Sequence, residues 1–348
     1  MSIRKRLRAF LNLALSKLSN QKNTNITINP FYIKRVLIVR VNYRIGNIIF
    51  LTPLIRALEK KIPDAKVDVL VGAPFTIPII KEMPNIENVY ALPRELTKNP
   101  IKLFKKIKEI NKNNYDLLIS PVSVSVSSNI ATFLIKANLK LGFYNTNTWL
   151  PLNRFAIYPK NISHEALKPL ALMSVFEGEE KEYTKYLDIA LSKKERDEGI
   201  KMLKEALNLK TSSKIVGIFR DARGEKKIKD SWWIEFLKEL KEIDSNTIFI
   251  DILPPDEKKA LLPNLPFISS SNLRDLAKIF SALDIFISAD TGPMHLASAS
   301  LTPVIALFNA TNPSLYGPLG VDDTVIQIDN KDINLIAKQS FNHIKTII

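Results

Sequence analysis

The chain has 348 residues, enough for two domains with a core each, and its 46% hydrophobic and 24% charged content is that of a folded protein. It has no cysteine, which excludes disulfides and thiolate chemistry, and its three histidines show no metal-binding spacing. The net charge of +15 sits mostly at one end: residues 1–58 hold eleven Lys and Arg and no acid. That imbalance points to an anionic partner, whether nucleic acid, an anionic membrane or a phosphorylated glycolipid.

Residues 3–18 have the spacing of an amphipathic helix. Ile3, Leu7, Phe10, Leu11, Ala14 and Leu18 fall on one side, and Arg4, Lys5, Arg6 and Arg8 crowd the first turns. Such a helix suits the headgroup layer of an anionic membrane. An Asn-, Ser- and Thr-rich linker follows to Pro30, so residues 1–30 read as a basic extension. No apolar run reaches the length of a membrane span, and no signal-peptide pattern is evident. The expectation is a cytoplasmic protein that touches a membrane surface.

From residue 31 the pattern alternates strand and helix. Strands are predicted over 36–41, 67–71, 88–91 and 116–119, with a helix over 47–61 that contains Pro53 and further helices over 77–81 and 101–110. Nearly continuous apolar strands separated by helices predict a doubly wound parallel sheet. Residues 42–46 form its first turn, and a Ser- and Val-rich loop, 120–128, follows the fourth strand, where such sheets bind ligands. His164 and Glu165 open a helix to residue 176; a lone His at a helix start is more often a cap than a base. The pattern restarts with a charged helix over 194–207 and strands over 215–219 and 247–250. A basic loop, 220–230, precedes a helix over 232–240. A helix over 273–283 leads to a strand at 285–287, and 331–348 is a final helix. Domains are expected over 31–190 and 191–330.

The most informative stretch is Ser288 to Gly320. An apolar strand meets Asp290-Thr291-Gly292-Pro293, a small-residue helix follows, and residues 304–308 form the next strand. Gly lets a ligand approach the backbone, Pro suits a first helical turn, and a helix N-terminus favours phosphate.

The motifs DTGPMHLASA, TPVIALFNATNP and GPLG resemble the donor-site signature of glycosyltransferase family 9, the lipopolysaccharide heptosyltransferases. The segment RVLIVRVNYRIGNIIFLTPLIRALEKKIPDAKVDVLVG resembles the same family's opening strand, glycine turn and helix. The resemblance implies the α/β architecture called GT-B, two doubly wound Rossmann-like domains facing across a cleft. It implies a nucleotide-sugar donor in the second domain and an anionic glycolipid acceptor in the first. The implied reaction moves a sugar, such as heptose from ADP-heptose, with inversion, at the cytoplasmic face of the inner membrane.

Donor candidates are Arg220, Lys227, Lys229, Asp290, Thr291, Gly292 and His295. The family's phosphate-binding lysine precedes a Trp at shorter spacing, so Lys227 and Lys229 compete for that role. Acceptor candidates are Arg44, Gly46 and Ser123. No DxD stretch occurs, so no metal or other cofactor is expected. The position of the family's catalytic Asp holds Asn47, and a neutral carboxamide has no useful basicity near neutral pH. Asn312 and Asn309 stand where Asp and Gly are common. The alternative reading is therefore a family member that binds a nucleotide sugar or glycan without turnover. No aromatic–basic RNA motif or recognition helix is present, so nucleic acid is not an expected partner.

Overall fold

The computed structural model describes residues 27–122, 125–144, 151–179, 181–208, 214–244, 247–329 and 331–347. The amphipathic stretch 3–18 and the acceptor candidate Ser123 lie outside them. The chain divides into two units, Met1–Thr184 and Lys185–Ile348. The division falls ahead of residue 190 because residues 185–191 pack into the second unit. Leu187 N donates to Leu319 O and Ile189 N to Ala299 O, and Leu187 and Ile189 are fully buried.

The first unit is a parallel sheet of β1 (Arg35–Arg40), β2 (Lys66–Val71), β3 (Ile86–Ala91), β4 (Tyr115–Ser120), β5 (Ala137–Phe143) and β6 (Arg154–Ala156). Their spatial order is β3-β2-β1-β4-β5-β6. β1 lies between β2 and β4, and Val36, Leu37, Ile38 and Val39 are fully buried, as a parallel strand covered on both faces requires.

The predicted helix over 47–61 forms as two: α1 (Ile45–Ile49) and α2 (Thr52–Lys61). Pro53 has no N–H to continue the ladder of α1, and its fixed φ suits the first turn of α2, where it sits. α3 (Pro100–Ile110) follows β3, and α4 (Val126–Leu134) follows β4. The predicted loop 120–128 is cut short because Ser125 caps α4, its side chain accepting from Ser128 N. The helix predicted from His164 forms only as 3₁₀ turns over Lys168–Val175. Pro169 has no N–H to donate to the carbonyl of Glu165, so an α-helix begun there cannot propagate.

The second unit repeats the plan with β7 (Ile215–Phe219), β8 (Ile248–Leu253), β9 (Phe267–Ser269), β10 (Ile285–Ala289), β11 (Val304–Phe308) and β12 (Thr324–Gln327). The order β12-β11-β10-β7-β8-β9 is, counted from β7, the order of the first sheet. Strand order therefore reverses between β1 and β4 in one sheet and between β7 and β10 in the other. Ligands of doubly wound sheets bind at the carboxyl ends beside such points.

The helices of the second unit are α5 (Lys193–Leu207), α6 (Asp230–Ile243), α7 (Leu273–Phe280), α8 (Gly292–Ala299) and α9 (Ile333–Ile347). Trp233, Phe236 and Leu240 of α6 share a core with Ile336, Ala337 and Ile344 of α9. α5 and α7 cross closely at Gly199, where an added Cβ would meet Lys278 O at 2.0 Å.

Candidate active site

In the first unit the turn after β1 is held by a chain of amides. Asn42 Oδ1 accepts from Arg44 N at 2.9 Å and from Asn47 Nδ2 at 3.0 Å. Asn47 Oδ1 accepts in turn from Arg40 Nη2 at 3.1 Å. Asn47 thus works as donor and acceptor at once, and a carboxylate could fill only the acceptor half. Desolvation lowers the half-buried Arg40 guanidinium to about 10, against the opposing charge of Glu165. β2 presses on the same turn: Gly72 N donates to Asn42 O, and a Cβ at Gly72 would lie 2.5 Å from that oxygen. Arg44 is exposed at the N-cap of α1, and Gly46 lies in the helix's first turn.

Asn47 and Arg40 line a small cleft with Phe50, Pro121, Tyr158, Glu165 and Lys168. Glu165 is the carboxylate among these lining residues. It pairs with Lys168, whose side-chain nitrogen also faces Tyr158. Burial disfavours the Lys168 ammonium, but hydrogen bonds to Glu165 and Tyr158 outweigh it and raise its pKa. His164 is buried; its Nδ1 accepts from Ala166 N at 3.2 Å, and its ring meets Phe50 edge-on. It caps and packs, as the sequence reading favours.

In the second unit, three strand ends converge. Asp290, after β10, is buried and pairs with Lys226 Nζ at 2.6 Å; Lys226 lies in the loop after β7. Thr311, after β11, donates its hydroxyl to Asp290. Asn309 Nδ2 donates to Glu225 O at 3.1 Å, tying the end of β11 to the lysine loop. Thr291 is the N-cap of α8 and makes no side-chain cap hydrogen bond, and Gly292 and Pro293 open the helix, whose N-terminus suits an anion. Asp290 is therefore not the cap of that helix, which is its ordinary structural role. His295 is buried on α8.

Arg220 is committed to the scaffold. It donates to Asp251, to Asp230 and to Lys259 O, so it fastens the loop after β8 to the sheet. Burial pushes the Asp251 carboxyl up, opposed by the Leu261 N–H and by Arg220. Lys227 is exposed; Lys229, also exposed, is the N-cap of α6. Of the basic loop, then, it is Lys226 that the structure brings to Asp290. Asn312 caps the turn Pro313–Tyr316, accepting from Ser314 N. Gly320, the end of the GPLG motif, donates its N–H to half-buried Asp323, which also accepts from Val304 N at the start of β11. That part of the motif holds the amino edge of the sheet, away from Asp290.

Arg40, Glu165, Lys226 and Thr311 were not chosen from sequence. Lys226 stood in a recognised loop beside two other lysines. Glu165 follows the singled-out His164. Nothing local marks Arg40 or Thr311.

The sequence model of Glycosyltransferase family 9 (heptosyltransferase) matches residues 103–345. Lipopolysaccharide heptosyltransferase 3 of Escherichia coli strain K12 is 25% identical over 299 residues, covering 78% of this chain and 82% of the relative. A glycosyltransferase family 9 structure from Veillonella parvula superposes with a TM-score of 0.78 at 17% identity, covering 93% of this chain and 99% of that one. The Escherichia coli heptosyltransferase WaaC with ADP gives a TM-score of 0.72 at 23% identity, covering 90% and 100%. These likenesses show the fold class, GT-B, with two doubly wound α/β domains.

Proposed function

Because the chain belongs to glycosyltransferase family 9, the heptosyltransferases, we propose that it moves a heptose from an ADP-linked donor onto a lipopolysaccharide-core or related glycolipid, with inversion. The observation that carries this reading is the Lys226–Asp290 pair beside the N-terminus of α8. A departing diphosphate needs fixed positive charge where its own charge develops. Lys226 and the first-turn N–H groups of α8 supply it, with Thr291 and Gly292 at the contact. A relative's structure in complex with ADP supports an adenine nucleotide as carrier.

The acceptor hydroxyl attacks the anomeric carbon as the bond to the diphosphate breaks and ADP leaves with the electron pair. The hydroxyl proton goes to a carboxylate, and we assign Glu165 that part because Asn47 cannot take it. Asn47 and Arg40 orient the acceptor, with Arg44, Gly46 and Ser123 as further contacts. The basic extension of residues 1–30 holds the protein at an anionic membrane, at the cytoplasmic face. Among the described residues no group of three His, Asp or Glu is placed to hold a metal ion, and this reading uses none.

Lys226→Ala should weaken ADP binding by about tenfold or more, since a charge-assisted hydrogen bond is worth roughly 1.5–3 kcal/mol. Lys227→Ala and Lys229→Ala should leave it nearly unchanged. Calorimetry showing undiminished affinity in Lys226→Ala would remove the donor site from this pair. Asn47 favours a second reading, a protein that binds a nucleotide sugar without turnover; ADP affinity with no transfer in any variant would support it.

A further inference from the structure

α3 turns an unusual face outward. Its inner face packs Ile107 and Ile110 into the core of the first sheet. Ile101 and Phe104, one turn apart, are each 70% exposed. Positions 101, 104, 105 and 108 share a side of the helix, so the two apolar side chains are flanked there by Lys105 and Lys108. Lys98 and Lys102 are exposed beside them. Residues 94–112 hold seven Lys and Arg against two Glu. One of the two, Glu109, is engaged by Lys106 at 2.9 Å.

We infer that this face of α3 is a docking surface for an anionic lipid bilayer, with Ile101 and Phe104 entering the headgroup layer and the lysines meeting lipid phosphate. This deepens the membrane part of the proposed function and rests on it, but it names a different contact from the N-terminal extension. Charge selects the occupant. Residues 1–26 carry six Lys and Arg and no acid, so that segment is repelled by the same lysines. A second copy meeting face to face would set lysine against lysine. Protruding Ile and Phe side chains with a basic surround are the pattern of an interfacial helix.

The position suits the chemistry. α3 starts near the carboxyl end of β3, and the chain there is tied to the acceptor-side turn. Tyr43 Oη donates to Leu92 O at 3.1 Å, and the Arg94 guanidinium lies over the Tyr43 ring at 4.7 Å. The chain entering α3 is thus joined to the turn that carries Asn42. A bilayer against α3 would stand over the sheet face of Leu37 and Val39, beyond the helix that packs there.

The test is co-sedimentation of the full chain with phosphatidylcholine vesicles, with and without phosphatidylglycerol. The wild type should bind the anionic vesicles and release in high salt. Ile101→Ser/Phe104→Ser should weaken that binding by about tenfold or more. Lys102→Glu/Lys105→Glu should do so by a similar factor. Both variants should keep the wild-type circular dichroism spectrum and thermal unfolding profile, which shows that the fold survives, and wild-type ADP affinity. Undiminished vesicle binding in both variants would overturn the α3 surface while leaving the extension as anchor. Failure of the wild type to bind would overturn the surface and the membrane reading together. A wild-type dimer that becomes monomeric in Ile101→Ser/Phe104→Ser, read by sedimentation velocity, would instead assign the face to a second copy.

Discussion

Glu165→Gln is expected to lower the single-turnover rate of sugar transfer by about 10²–10⁴-fold, the usual contribution of a placed general base. ADP affinity should stay near the wild-type value, because the change removes a group used in the transition state and lies outside the donor unit. Within the cleft Arg40, Lys168 and Asn47 cannot take the hydroxyl proton, and Glu165 is the carboxylate that lines it. Asn47→Asp separates the possibilities. The new carboxylate would pair with Arg40 but would set an oxygen against Asn42 Oδ1, which now accepts from Asn47 Nδ2 at 3.0 Å. In the wild-type background the expected result is a small or negative effect on rate. In the Glu165→Gln background it should restore part of the loss. A large rate increase from Asn47→Asp alone would show that the wild type lacks a base and would withdraw Glu165. Single-turnover rates are needed, because steady-state values can report product release.

Arg274→Ala should destabilise the second unit by roughly 3–5 kcal/mol, as removal of one partner from a buried ion pair does. Arg274 is 5% exposed. It meets Glu195 through two bonds, Nε to Oε1 at 2.7 Å and Nη2 to Oε2 at 3.0 Å, and its Nη1 donates to Ile189 O. Glu195 also closes a capping box with Ser192 at the start of α5. The bond to Arg274 and those to Ser192 hold the Glu195 carboxyl down at about 2, against desolvation. A depressed carboxyl stabilises the fold above its unfolded pKa and loses that contribution as pH falls through the folded one. The window here runs from about 4.5 down to about 2. Chemical denaturation of the wild type should therefore show a steep loss of stability below pH of about 4.5, and Arg274→Ala should flatten that limb. Equal acid sensitivity in both proteins would contradict the pairing. The pair fastens α7 to α5, and α7 leads directly into β10 and Asp290, so donor affinity should fall as the variant nears its unfolding transition.

Apart from β3 at a sheet edge, the strands legible in the sequence were buried ones. β1, β7, β10 and β11 are continuous apolar runs because parallel strands are covered on both faces, and residues such as Val36 to Val39 and Ile285 to Ile287 are fully buried. β5, β6, β9 and β12 did not stand out. β5 carries Asn138 and Lys140 among half-exposed positions, and β6, β9 and β12 are short and lie at or near the sheet edges. Proline placed two surprises: Pro53 splits one helix into two, and Pro169 confines another to 3₁₀ turns. The site was legible where chemistry is local. Asp290, Thr291 and Gly292 are consecutive, and a strand–turn–helix pattern announces them. Lys226 could not be told from Lys227 and Lys229, because which lysine reaches Asp290 depends on the 3₁₀ turn at Gly224–Lys226 and on Asn309, which bonds Glu225 from 84 residues away. Arg220 read as a phosphate ligand, and its partners Asp251 and Lys259 come from a different strand and loop. Asn47 was legible as a departure from the family's Asp; its amide chain with Asn42 and Arg40 was not.

The most direct measurement is transfer itself. The wild-type chain, ADP-heptose and core glycolipid acceptor, extracted from cells lacking the outer heptoses, should give an acceptor heavier by one heptose with stoichiometric release of ADP, as read by mass spectrometry. Tight ADP binding with no heptose added by the wild type or by Asn47→Asp would contradict the transferase account and leave a protein that only binds its nucleotide sugar.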